Sequence, residues 1–131
     1  MKRILITGGR DWTDVTRIGW ALRDLWIDWG EPTDAILVEG ECPHGGADII
    51  ARDVWLSRGY PVERVPANWK ELGKAAGPYR NQLMVDRGAD MCLAFPTAKS
   101  RGTWDCVRRA RDAGIPIRIY HADGTYEEEY P

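Results

Sequence analysis

The chain has one phenylalanine, two histidines and three cysteines among its 131 residues. No apolar run approaches the roughly 20 residues that a membrane-spanning helix needs, so no membrane association is expected. Cys42, Cys92 and Cys106 are odd in number and widely spaced, and they outline no disulfide framework. Cys42 and His44 form a Cys-x-His pair, but no second close pair exists to complete four zinc ligands, and no metal is expected. The N-terminus has no charged segment followed by an apolar one, so no signal peptide is read there and a cytoplasmic location is the simplest expectation. A large charge of one sign is also missing: the formal net charge of −2 excludes a broad basic surface gripping duplex phosphates, so any anion site must be local.

The chain does have an apolar content of 44%, enough for one core at this length and too little chain for two. A single domain over residues 1–131 follows. Apolar runs and helical periodicity alternate along it. Strands are expected at Arg3 to Thr7, Ala35 to Glu39, Pro61 to Val65, Met91 to Phe95 and Ile115 to Tyr120. Between the first two, Val15, Ile18, Leu22, Leu25 and Trp29 recur at helical spacing until Gly30 and Pro32. Ala47, Ile50, Ala51 and Val54 share a helical face before Gly59. Residues 67–77 read as irregular or briefly helical, a helix follows from Pro78 to about Arg87, and another takes Thr103 to Ala113. The acidic tail Glu127 to Glu129 reads as frayed. This alternation predicts an α/β fold, a Rossmann-like three-layer αβα sandwich with a mainly parallel sheet of about five strands.

In such a sheet the turns that leave strands and enter helices share the carboxyl edge, where ligands bind. Four segments fall there: Gly8 to Trp12, Gly40 to Asp48, Gly77 to Asn81 and Pro96 to Asp105. Glycine lets a ligand approach backbone N–H groups, and a helix start adds unpaired donors and a positive dipole end, so phosphate or carboxylate is the natural guest. Gly8, Gly9, Arg10 and Asp11 form one candidate turn, with Trp12 as a wall or a packing residue and Asp11 as a ribose acceptor or a cap. The full G-x-G-x-x-G fingerprint is absent, which disfavours a dehydrogenase cofactor. Gly45 and Gly46 form a second turn, where Gly46-Ala47 replaces the Lys-Ser/Thr of a Walker loop and disfavours an ATPase.

Arg80 and Asn81 are placed in a first helical turn, where an arginine opposes the dipole and suggests an anionic guest. Thr97, Ser100, Gly102 and Thr103 add hydroxyls and a glycine beside Lys99 and Arg101. The rim carboxylates are Asp11, Glu39, Asp48 and Asp105. No serine or cysteine nucleophile has a local motif.

Taken together, "ITGGRDW", "EGECPHGGADIIA", "AGPYRNQLM" and "FPTAKSRGTWDCVRRA" resemble the SLOG superfamily, particularly its small YspA/YpsA-related branch. The resemblance spans nearly the whole chain and implies a Rossmann-like domain that binds a nucleotide or nucleotide-derived ligand. It also implies kinship to the LOG-type phosphoribohydrolases, which cleave the base from a nucleoside monophosphate, and to DNA-processing protein A, which binds single-stranded DNA. LOG enzymes use an arginine upstream of P-G-G-x-G-T-x-x-E. Arg80 fits the arginine and Gly102-Thr103 the Gly-Thr pair, whereas Pro96-Thr97-Ala98 departs from Pro-Gly-Gly and Asp105 falls one position before the glutamate. The expected partner is therefore a nucleotide-like small molecule rather than nucleic acid, with no cofactor implied and homodimer formation left open. An N-glycosidase with Arg80, Asp105 and Glu39 as catalytic residues is the alternative. Binding of single-stranded nucleic acid through Lys99, Arg101, Arg108, Arg109 and Arg111, with stacking on Trp12, Trp69 and Trp104, is the third reading.

Overall fold

β1 (Arg3–Gly8) is apolar on both faces, and that property sets the architecture. Ile4 and Ile6 lie in one core cluster and Leu5 in another, all fully buried. A strand of this kind has to be covered from both sides. In the computed structural model, which describes residues 1–131, the chain runs from β1 to α1 (Val15–Asp28), β2 (Ile36–Glu39), α2 (Ala47–Ser57) and β3 (Val62–Arg64). It continues through α3 (Trp69–Leu72), a 3-10 turn (Gly73–Ala75), α4 (Ala76–Asp86), β4 (Met91–Phe95), α5 (Arg101–Asp112), β5 (Ile117–Tyr120) and β6 (Tyr126–Glu129). The sheet order is β3-β2-β1-β4-β5-β6, parallel except for β6. Ile18, Ala21, Leu22 and Leu25 of α1 join Ala47, Ala51 and Trp55 of α2 over one face. Met84 and Val85 of α4 join Cys106, Val107 and Ala110 of α5 over the other. The fold is the Rossmann-like three-layer sandwich that the alternation of elements indicates, and no helix is long and apolar enough to cross a membrane.

Four local expectations are corrected. The sheet has six strands rather than about five, because the acidic tail pairs antiparallel with β5. Each glutamate there meets a basic side chain: Glu129 takes both Nε and Nη2 of Arg111 at 2.8 Å, Glu128 lies 3.5 Å from Arg118, and Glu127 meets His121 Nε2 at 2.5 Å. α4 begins at Ala76, so Arg80 is its fifth residue and lies beyond the first turn, where the dipole argument loses force. α5 begins at Arg101, which brings Gly102 and Thr103 into its first turn. Val15 is 53% exposed and leaves the core face of α1, its place taken by Ala21.

β1 is flanked by β2 on one side and β4 on the other, and the crossover through α3 and α4 reverses the direction in which strands are added. The carboxyl ends of β1 and β4 therefore bracket the crevice at which open α/β sheets take ligands.

Candidate ligand-binding site

The glycines of the rim first serve to let loops meet. A Cβ on Gly8 would stand 2.4 Å from Cβ of Ala47, and one on Gly9 would stand 2.3 Å from Thr97 Oγ1. Gly46 has φ +82°, and a Cβ there would lie 2.4 Å from Cα of Arg10. The carbonyl of Gly9 accepts from the N–H groups of both Trp12 and Ala47, each at 3.1 Å, while its own N–H donates to Phe95 O at 2.9 Å. The β1–α1 and β2–α2 turns are thus fastened together and to β4. The Gly9 N–H is consequently taken by protein, and the backbone donors left on this turn are those of Arg10 and Asp11. Trp12 is 6% exposed, stacks edge-on against Phe95 and donates from Nε1 to Asp14 O, so it packs under the rim and forms no ligand wall. Asp14, not Asp11, caps α1 by accepting from Arg17 N at 3.0 Å.

Asp11 instead crosses the β1–β4 crevice. Its Oδ1 accepts from Thr97 Oγ1 at 2.5 Å, and that hydrogen bond, aided by the nearby Arg10 and Lys99 charges, holds its pKa below the ordinary aspartate value. Ser100 Oγ accepts from Thr97 N at 2.5 Å and lies 2.9 Å from Thr97 Oγ1. Because it is engaged there, Ser100 leaves α5 without a side-chain cap, and no protein acceptor meets the N–H groups of Arg101, Gly102 and Thr103. α2 likewise has no side-chain cap, and beyond Ala47 its first-turn N–H groups at Asp48 and Ile49 are free. Two of the longer helices therefore present bare positive ends at the carboxyl edge, beside the exposed, unpaired side chains of Arg10, Lys99 and Arg101. Gly102 is open, Gly45 is open with φ +85°, and Thr103 is turned inward at 3% exposure.

A second group lies at the end of β2. Glu39 is fully buried, and its Oε2 accepts from Glu41 N at 2.5 Å. Burial, then a hydrogen bond to the Glu41 carboxyl, pushes its pKa to about 9, so the group is neutral at pH 7. The same contact draws Glu41 below its ordinary value, helped by Arg52, whose Nη1 stands 2.6 Å from it. Asp48, 8% exposed, is raised to about 6 by burial, with Arg80 opposing the rise. Arg80 donates from Nη1 to Gly40 O and from Nε to Asn81 Oδ1, and a Cβ on Gly40 would collide with the guanidinium. Asp48 Oδ1 is buried with no hydrogen-bond partner, a state that costs about 1–3 kcal/mol, whereas Glu39 Oε1 and Glu41 Oε2, which meet no N–H or hydroxyl group, are the oxygens left to share the Glu39 proton. Glu41 and Arg52 are absent from the sequence-based candidates. The i, i+2 spacing of Glu39 and Glu41 is the signal that pairs them.

Asn81 and Asp105 form a third group on the flank. Asn81 Nδ2 donates to Gly102 O at 3.1 Å and to Asp105 Oδ2 at 3.0 Å, tying α4 to the start of α5. Asp105 also accepts from Arg108 and Arg109 at 2.7 and 2.9 Å. Burial raises its pKa, but these partners outweigh that and hold it below the ordinary value. Both of its oxygens are occupied. No group of three or more His, Cys, Asp or Glu side chains is arranged to hold a metal ion.

The YAcAr family pattern, described as the YspA, cpYpsA-related SLOG family, matches residues 2–72, from β1 through α3. The chain belongs to this SLOG family. A relative in Mycobacterium phage D29, "Gene 61 protein", is 44% identical over 121 residues, covering 89% of this chain and 94% of the phage protein. The part of this SLOG chain matched by the family pattern contains two of the rim groups, Gly8 to Asp11 and Glu39 to Asp48.

Proposed function

We propose that the chain binds a phosphate-bearing nucleotide or nucleotide-derived small molecule at the carboxyl edge, between the β1–α1 turn and the start of α5. The observation that carries this reading is the pair of bare helix starts, α2 and α5, set beside three unpaired cations. N–H groups without acceptors and a positive dipole end favour an anion, and Arg10, Lys99 and Arg101 supply charge without depending on a basic surface elsewhere. Membership of the SLOG family supports a nucleotide-related role. Arg80 is half-buried behind this turn against Gly40 O and serves in this reading as counter-charge to Asp48. The protein acts as a sensor or sequestering module. Calorimetry against nucleoside monophosphates, cyclic nucleotides and ADP-ribose tests this, with millimolar or tighter binding of at least one member expected and silence across the panel overturning it.

A second reading, an N-glycosidase acting on a nucleotide, is favoured by the full burial of Glu39 at the end of β2 beside the Glu41 carboxyl, which pushes its pKa to about 9 and favours the protonated acid. A neutral acid at a ligand edge can protonate a departing base, and preorganised groups of this kind commonly contribute about 100-fold or more in rate. Asp105, with both oxygens engaged, is the weaker candidate for that step. Release of free base from purine and pyrimidine monophosphates, followed by chromatography, is the direct assay. Turnover retained in Glu39→Gln would remove Glu39 from the mechanism.

A further inference from the structure

Trp20 is the most exposed of the seven tryptophans, at 66%, and stands near the middle of the outer face of α1. Ile27, 46% exposed, lies two turns further along the same line, so the crest of this helix is apolar where a solvated face is ordinarily polar. The two flanks of the crest differ in charge. Towards α2 a cavity of about 370 Å³ is walled by the rings of Trp26, Trp55 and Tyr60, with Arg23 and Arg58 beside them and no carboxylate. The indole N–H groups of Trp26 and Trp55 are engaged by Pro32 O and Ala35 O, which leaves ring surface to the cavity. Towards β5 and β6 a recess of about 350 Å³ is lined by Asp24, Asp28 and Glu128, with Arg118 as its one cation. Arg17, earlier on that flank, is held by the carbonyl oxygens of His121 and Thr125.

Arg23 and Asp24 take part in none of the ion pairs of the chain. Successive residues on a helix point about 100° apart and do not face each other. One therefore stands on each side of the Trp20–Ile27 line, and both lack a partner. A partner for this face has to bring a carboxylate to Arg23, a cation to Asp24 and apolar surface between them. The crest of a second copy has that layout. A two-fold axis along α1 turns the basic flank of one copy towards the acidic flank of the other, sets Trp20 against Trp20 and Ile27 against Ile27, and pairs Arg23 with Asp24 twice, as a self-complementary patch requires. An axis across the helix would instead set arginines against arginines. Charges of both signs on one face suit neither nucleic acid nor a strongly charged protein. We propose that α1 is the interface of a homodimer whose two-fold axis runs along the helix. Because α1 starts at the carboxyl edge, this symmetry leaves both rims open and places them at the same end of the dimer.

The test is sedimentation velocity on the full chain over a concentration series, with melting curves to show that each variant is folded. A shift to twice the chain mass below about 1 mM is expected, and a monomer throughout that range overturns the proposal and leaves the crest to a different protein. Trp20→Glu should weaken the dimer about ten-fold or more, as loss of a central aromatic contact does. A dimer of wild-type affinity in that variant places the interface on another face and overturns the proposal. Arg23→Glu and Asp24→Arg each set like charges across the axis and should each dissociate more readily than the wild type. Mixed in equal amounts, they should form a heterodimer in which both pairs are restored with reversed sign on one side. A mixture no tighter than either variant alone overturns the proposed axis. Should a variant lose its melting transition, the wild-type series and whichever crest substitution stays folded, Trp20→Glu or Ile27→Lys, decide.

Discussion

Arg10 is exposed, makes no ion pair and sits on a turn whose backbone is locked by Gly9 and Gly46. Arg10→Ala is therefore expected to leave the melting temperature within about two degrees while weakening the best ligand by roughly 1.5–3 kcal/mol, the usual worth of a charge-assisted contact. Wild-type affinity in that variant would move the anion site off the β1–α1 turn. Gly9 and Gly46 behave differently, because each stands where a side chain has no room. Gly9→Ala meets Thr97 and Asp11 side-chain atoms, which can shift, whereas Gly46→Ala meets the Arg10 backbone and also forces a positive φ on an L residue. Urea titration should rank them, with Gly9→Ala costing about 1–3 kcal/mol and Gly46→Ala more. The reverse order would mean that the β1–α1 turn moves more easily than the hydroxyls beside it.

At the scale of elements, the five parallel strands, the helices and the edge on which their turns gather were legible, because hydrophobic period and glycine punctuation are local properties. The sixth strand was not. Glu127 to Glu129 has neither apolar alternation nor β-branched residues, and its contacts are with Arg111 and Arg118, brought near by the fold, and with His121 across the turn that precedes it. The same limit applies within the candidate site: Gly8, Gly9, Glu39 and Asp48 could be placed on the rim from spacing, but not the contact between Gly46 and Arg10 or the engagement of Asp105 by Asn81 of the neighbouring helix. If β6 is an integral strand, removing residues 122–131 should lower stability by at least about 1 kcal/mol, seen as a drop of several degrees in melting temperature. The deletion leaves β5 as an exposed edge and strips Glu128 from Arg118, which is 7% exposed with an unmatched Nε. An unchanged melting curve would return the tail to an ornamental role.

For the whole molecule, the buried acids of the rim set the direction in which stability responds to pH. Glu39 rises from 4.5 to about 9 on folding and Asp48 from 3.8 to about 6. Between those limits the native state keeps protons that the unfolded chain has released, so the two groups stabilise the fold fully below their unfolded values. That contribution fades through pH 6 for Asp48 and is gone by pH 9 for Glu39. Asp105, Glu63 and Glu129 are lowered in the fold and act oppositely, contributing above about pH 4.5 and losing that contribution in acid. The two sets together place the stability maximum on the acid side of neutrality, in a protein whose net charge of −2 gives no cause for a strong general field effect. Urea denaturation at pH 6.0 and 8.5 should show the wild type losing at least about 1 kcal/mol over that interval, and Glu39→Gln, which has no proton to release, losing clearly less. A wild type equally stable at both values would mean that Glu39 is already ionised in the native state. The neutral acid on which the N-glycosidase reading depends would then be lost, while the phosphate site at the start of α5 would be untouched.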